Sequence, residues 1–242
     1  ALSIAKPEVM GFERAVSAIR AYARTEAGRL ELACVPSVAS SLLPEVIERF
    51  AEDHCGVEIE LRDADSETVV REVVEERVEL GIASPPTRPL PIVYRPLFRD
   101  SFVLVCREDH PLGLDGAPVG WGSLAGQRLI ANGSAARIEH PAHRALSADS
   151  LLTVRNVLSL LAMVRKGAGV TLLPRLAVPV GMSGIACVPL AEPACTREVG
   201  VLTRQGQSTS PAAAAFLTEF QRLLCERAAG GALSGLTLYG PP

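Results

Sequence analysis

The chain has 242 residues, 48% of them hydrophobic, and a formal net charge of −3. That is enough for one large domain or two small ones, each with a real core. No basic stripe suits a phosphate backbone, no run of eighteen apolar residues could cross a bilayer, and the start shows no charged-then-apolar leader pattern.

Taken in chain order, Phe12, Val16, Ile19 and Ala23 predict a helix that ends near Gly28, ahead of the globular pattern. From there strands and helices alternate. "RLELACV" (29–35) is a strand. "SSLLPEVIERFAEDH" is a helix with Leu43, Val46, Ile47 and Phe50 on one face, and Pro44 is tolerated because it falls in the first turn. "VEIELRD" alternates as a strand, "DSETVVREVVEER" is a helix capped by Asp65 or Ser66, and "VELGIAS" is a strand ending near Ser84. "IVYRPLFRD" and "SFVLVCRE" read as two strands meeting around Asp100. This order predicts a mostly parallel sheet with helices on its faces.

After Glu108 the texture changes to a Gly- and Pro-rich stretch with a short helix near Trp121 to Leu124. "RLIA" and "LLTVR" are strands on either side of "NGSAARIEHPAHRAL", a loop with a short helix. In "VRKGAGVTLLP" an amphipathic helix ends on Arg165 and Lys166, Gly167 supplies a positive-φ cap, Gly169 reverses the chain, and Val170 to Leu173 form a short buried strand. The order is helix, glycines, strand, the reverse of a phosphate-binding loop. "GIACVPL" and "REVGVLTR" are later strands, "SPAAAAFLTEFQRLLCER" is a final helix, and residues 228–242 read as a loose tail. The chain thus passes twice between two α/β groups, near Val103–Arg107 and Thr196–Val199, and a cleft between such groups is where small ligands bind.

The six cysteines form no C-x-x-C pair, and buried reduced thiols are the reading for them. Cys106 lies in an alternating apolar strand near His110, which suits an inert thiol better than a nucleophile. His140 and His143 stand three apart beside Glu139, too few ligands for zinc. No nucleophile–base pair occurs at convincing spacing, so neither an enzyme nor a cofactor is expected.

Together, "PSVASSLLPEVIERF", "LRDADSETVVREVVEERVELGIAS", "YRPLFRDSFVLVCREDHPL" and "NVLSLLAMVRKGAGVTLLP" resemble the effector-binding domain of LysR-type transcriptional regulators over roughly residues 29–227. The resemblance implies a periplasmic-binding-protein-like α/β fold of two Rossmann-like lobes joined by two crossover strands. Lobe I would hold residues 28–104 and 198–227, lobe II residues 105–197, with the end of a linker helix over 1–27 and a tail over 228–242. It further implies a cytoplasmic regulator that pairs as a homodimer, with a tetramer compatible with a longer parent, and that meets promoter DNA only through a preceding helix-turn-helix and never a membrane. A solute-binding protein of a transport system, with the same fold, is the alternative.

The same resemblance places a small, anionic effector between the lobes. Ser37, Val38 and Ser40 fall at the opening helix of lobe I, where hydroxyls meet backbone N–H groups, although helix capping explains Ser40 as well. Ser84 ends a strand of that lobe. Arg95 matches a position where some relatives place an effector-contacting cation, with a surface salt bridge as its other reading. Asn132, Gly133 and Ser134 follow a strand of lobe II and would face the same cleft, with turn chemistry as their other reading.

Overall fold

The computed structural model describes residue 16, residues 27–231 and residues 235–239. The leading helix expected before Gly28 lies, apart from residues 16 and 27, outside them. A six-strand path runs β10-β4-β9-β3-β1-β2. Its parallel part is β1 (Gly28–Cys34), β2 (Val57–Asp63) and β3 (Leu80–Ala83), with β1 in the middle. After β1 the chain enters two short helices, α1 (Pro36–Ser41) and α2 (Leu43–Asp53), where one was expected. Pro36 and Pro44 each start a helix, the place where a missing N–H costs nothing. α3 (Ser66–Val74) joins β2 to β3 and is capped by Asp65, whose carboxylate accepts the Thr68 N–H at 2.8 Å. The Val69, Val70 and Val73 face of α3 is buried, as the spacing requires.

β4 (Ile92–Arg107) is one 16-residue strand, not the two expected. Its first part pairs with β9 (Thr196–Arg204), from Ile92↔Arg204 to Ser101↔Thr196, with a register shift between Pro96 and Phe98. From Phe102 onward its partners become β7 (Thr171–Pro174) on one edge and β8 (Ile185–Pro189) on the other. The pleat then separates two small cores. Phe102, Leu104 and Cys106 pack with Trp121, Ile138, Leu172 and Val188, while Val103 and Val105 pack with Leu160, Leu161, Val164 and Leu173. After β4 come α4 (Pro111–Leu114), then α5 (Pro141–Ala148) between β5 (Ile130–Ala131) and its parallel partner β6 (Leu152–Thr153). α6 (Val157–Arg165) then leads into β7.

The turn from α6 to β7 lies against backbone. Gly167 has φ +79°, and a Cβ on Gly169 would come within 2.3 Å of the Arg128 carbonyl oxygen. That carbonyl accepts the Val170 N–H at 2.9 Å, and the Ile130 N–H returns to Val170 at 2.8 Å. Only glycine lets the two segments approach this closely.

α7 (Pro211–Ala229) returns to the first lobe and lays Ala213, Phe216, Phe220, Leu223 and Leu224 into the core with Leu30, Leu32 and Val46. Phe216 meets Phe50 edge-on at 5.5 Å. Part of the tail expected to be loose is a strand: β10 (Leu236–Leu238) pairs antiparallel with β4 at Phe98–Asp100. Leu43, Val46 and Phe50 on α2 and Leu161 and Val164 on α6 are buried within their own lobes.

Candidate functional site

The carboxyl ends of β1, β2 and β3 carry Ser37, Ser66 and Ser84. The connection after β1 runs to β2 on one side, and the connection after β3 runs to the other side, toward β9 and β4. In open α/β sheets that geometry opens a crevice at the strand ends. The Ser84 N–H points to the Ser66 hydroxyl at 3.4 Å. Ser37 and Ser84 are both buried.

At the floor, where both lobes meet, two charged side chains face each other across the β4–β9 ladder. Asp100 and Arg197 are register partners. Arg197 donates to one Asp100 oxygen from Nε at 3.1 Å and from Nη2 at 2.8 Å, and Nη2 also donates to Ser37 Oγ at 2.6 Å. The other Asp100 oxygen accepts the Leu176 N–H at 3.3 Å. Asp100 is fully buried, and the Arg197 side chain is 11% exposed. Burial alone pushes Asp100 up and Arg197 down, and each charge is what offsets the other's loss of water. The Ser37 hydroxyl accepts from Arg197, which leaves its own proton for a further acceptor. Arg197 Nη1 makes no hydrogen bond to a described residue.

The second lobe closes the opposite wall. Asn132 holds the loop after β5 rigidly: its amide donates to Thr171 Oγ1 and to the Leu172 carbonyl, both at 2.9 Å, and its oxygen accepts the Ala135 N–H at 3.1 Å. Thr171 passes its own proton to the Ile130 carbonyl at 2.8 Å. Asn132 therefore spends its polar groups on the loop, and exposed Gly133 and half-buried Ser134 are what that loop presents. Arg137, from the same loop, donates to the Pro85 carbonyl just past Ser84 at 3.0 Å and bridges the lobes.

The expected residues divide accordingly. Ser37 and Ser84 stand at the strand ends. Val38 is core, its N–H turned back to Val35 at 2.9 Å. Ser40 lines a groove between α2 and α7 with Glu45, Arg49 and Arg227. Arg95 is exposed on β4. Asp100, Arg197, Ser66 and Arg137 were not anticipated. The available signal was an adjacent pair of opposite charges interrupting each of two largely apolar strands, "FRDSF" and "REVGV".

Thiol chemistry has little support here. Burial, with Asp63 nearby, pushes the Cys34 thiol up to about 12, and burial beside Cys187 pushes Cys106 to about 11. His143 donates to the Ile138 carbonyl and accepts from Ser147, and His140 caps α5 and stacks on Trp121 at 3.9 Å. Both imidazoles thus have structural partners, and the described residues hold no cluster of three or more metal-ligating side chains. No described helix is long and apolar enough to cross a membrane.

Among curated proteins the chain is similar to the uncharacterized HTH-type transcriptional regulator YbhD of Escherichia coli K12, 29% identical over 218 residues, 88% of this chain and 68% of that protein. Across the curated relatives it matches, the chain spans from 68% down to 60% of their length. Its fold is that of the regulatory domain of Synechocystis PCC6803 CcmR in complex with 2-PG, at a TM-score of 0.70 and 20% identity over 81% of this chain and 97% of that one. It is also that of the effector-binding domain of QuiR in complex with shikimate, at a TM-score of 0.67 and 17% identity over 81% and 96%. The model of the LysR substrate binding domain matches residues 23–224, most of the chain, and the chain belongs to that family.

Proposed function

We propose that this chain is the effector-sensing domain of a LysR-type transcriptional regulator and that its effector is a small organic anion held between the lobes. One observation carries the reading: Arg197 sits at the lobe junction, oriented by Asp100 and Ser37, with Nη1 uncommitted among the described residues. A guanidinium in so dry a place binds a carboxylate or phosphate more strongly than it would in water. Ser37 and Ser84 add donors from the first lobe, and Gly133 and Ser134 add them from the second. Contacts to both lobes are what allow a ligand to favour one lobe arrangement over another. The division into residues 28–104 with 198–227 and residues 105–197 is supported by the change of β4 partners between Ser101 and Phe102. The domain is non-catalytic and cytoplasmic, pairs as a homodimer, and leaves DNA contact to another part of the regulator.

The test begins with a thermal-shift screen of small carboxylates and phosphates, shikimate included, because a bound ligand stabilises by mass action. Calorimetry on Ser37→Ala and Ser84→Ala follows. Each loses a hydrogen bond to a charged ligand and weakens binding by about 1.5–3 kcal/mol, a factor of ten or more. Unchanged affinity in both variants would rule this cleft out as the site.

A further inference from the structure

The two strands that connect the lobes are tied together from outside by the last described segment of the chain, which lies beyond the family match that ends at residue 224. β10 runs along the edge of β4 opposite β9, with Leu236↔Asp100, Thr237↔Arg99 and Leu238↔Phe98 in register. Its main chain extends this hold at both ends: the Ser101 N–H donates to Gly235 at 2.9 Å, and the Tyr239 N–H donates to Leu97 at 2.9 Å. One residue further along β4, at Phe102, the same edge is taken over by β7 through Pro174. β10 and β7 therefore occupy adjoining stretches of that edge, Phe98–Asp100 and Phe102–Val105, and their meeting point is the lobe junction. Gly235, at φ +84°, is packed so closely there that a Cβ would lie 3.2 Å from Arg175, the residue after β7.

The Tyr239 side chain makes a second tie. It accepts from Arg99 Nε of β4 at 2.7 Å, with the Arg99 guanidinium 5.3 Å from its ring centre, and it donates to the Glu198 carboxylate of β9. One hydroxyl thus joins β10, β4 and β9. Leu236 and Leu238 anchor the strand against the first lobe's core. Beside this cluster the Tyr94 hydroxyl is buried without a hydrogen-bond partner among the described residues.

We propose that β10 is a clamp on the hinge: docked, it holds β4 and β9 in one geometry, and released, it lets the lobes rotate about Ser101–Phe102. Hinge motion concentrates in a few residues between packed bodies, and β10 with the Gly235 carbonyl holds the edge of β4 up to Ser101, the first of them. A three-residue edge strand is also the kind of element that detaches locally, without unfolding the rest. The proposal does not depend on which ligand the cleft takes, and it is tested without one.

The first measurement is the distance between spin labels on Cys55, exposed in the first lobe, and on an introduced Arg144→Cys in the second. The background carries Cys187→Ser, Cys195→Ser and Cys225→Ser. It is made in the full chain, in a chain ending at Gly231, and with Tyr239→Phe. The expected result is a narrow distribution in the full chain, one broadened or shifted in the shortened chain, and an intermediate one in Tyr239→Phe. The second is amide exchange, which should quicken about tenfold in the shortened chain at Phe102–Val105 as well as at Phe98–Ser101, with Leu32 and Leu80 unchanged. The residues at Phe102–Val105 pair with β7 and β8 and not with β10, so a strand that merely covers an edge would leave them alone. Identical distance distributions in all three chains, or faster exchange confined to Phe98–Ser101, would overturn the proposal. Should the shortened chain fail to fold, Tyr239→Phe, which keeps the main-chain pairing, decides by the same two readouts.

Discussion

Burial holds His143 neutral: its imidazole donates to the Ile138 carbonyl, accepts from Ser147 and lies close to His140, and loss of water lowers its pKa below the usual histidine range. The unfolded chain therefore takes up a proton near pH 6.5 that the folded chain refuses. Stability is complete above that pH and falls as the pH drops through about 6.5 toward the lower folded value. Urea midpoints at pH 7.5, 6.5 and 5.5 should show a steeper decline for the parent than for His143→Gln, and parallel curves would contradict this. His143 is legible in the sequence only as one of a histidine pair, since its acceptor and its burial belong to the fold. The placement of Ser37 and Ser84 just past the ends of parallel strands was legible, because alternating strands and helices fix which residues follow each strand. Asp100 and Arg197 were not, since they meet across 97 residues of chain and only the β4–β9 register makes them partners.

Among the elements, α6 shows what local sequence can specify. Asn156 caps it, its side chain accepting the Ser159 N–H at 3.0 Å, and Arg165 lies in the last turn. Asn156→Ala should lower stability by about 1 kcal/mol, read as a shift in denaturant midpoint at unchanged slope, and an unchanged midpoint would show the cap to be idle. The helix–glycine–strand unit that follows was also legible, down to its two glycines. Two elements were read differently. "FRDS" breaks the apolar alternation of β4 and looks like a turn, yet the strand continues through it because Asp100 finds its countercharge on β9. β10 looks like tail because three residues carry no periodicity, and it becomes a strand only because β4 offers a free edge. Pairing of that kind is decided by the partner.

For the molecule as a whole, the described surface carries an apolar patch that a second copy would cover. Leu151 is fully exposed just before β6, Leu158 is 74% exposed on α6, and Leu152 and Met163 are partly exposed alongside. Apolar residues gathered on one helix and the strand before it mark an interaction surface, and a two-fold pairing is the commonest way to cover one. Sedimentation at micromolar concentration should show a dimer, and Leu158→Glu should shift it toward monomer while keeping the parent's circular dichroism. A parent that sediments only as monomer would remove this surface from consideration. The two-lobe plan was legible because alternating strands and helices constrain the connections. How the lobes touch, through Arg137 and Pro85 and through Ser41 and Leu176, depends on loops whose sequence shows only turn chemistry. The ladder between β4 and β9 has one more consequence. Its last pair is Ser101↔Thr196, and the chain between those two residues runs through the second lobe. Directly paired strand residues lie only about 5 Å apart, a gap that a two-residue turn closes in an ordinary hairpin. The second lobe is therefore an insertion at the tip of a hairpin that could close without it. Its main-chain connection to the first lobe is two backbone passages lying side by side.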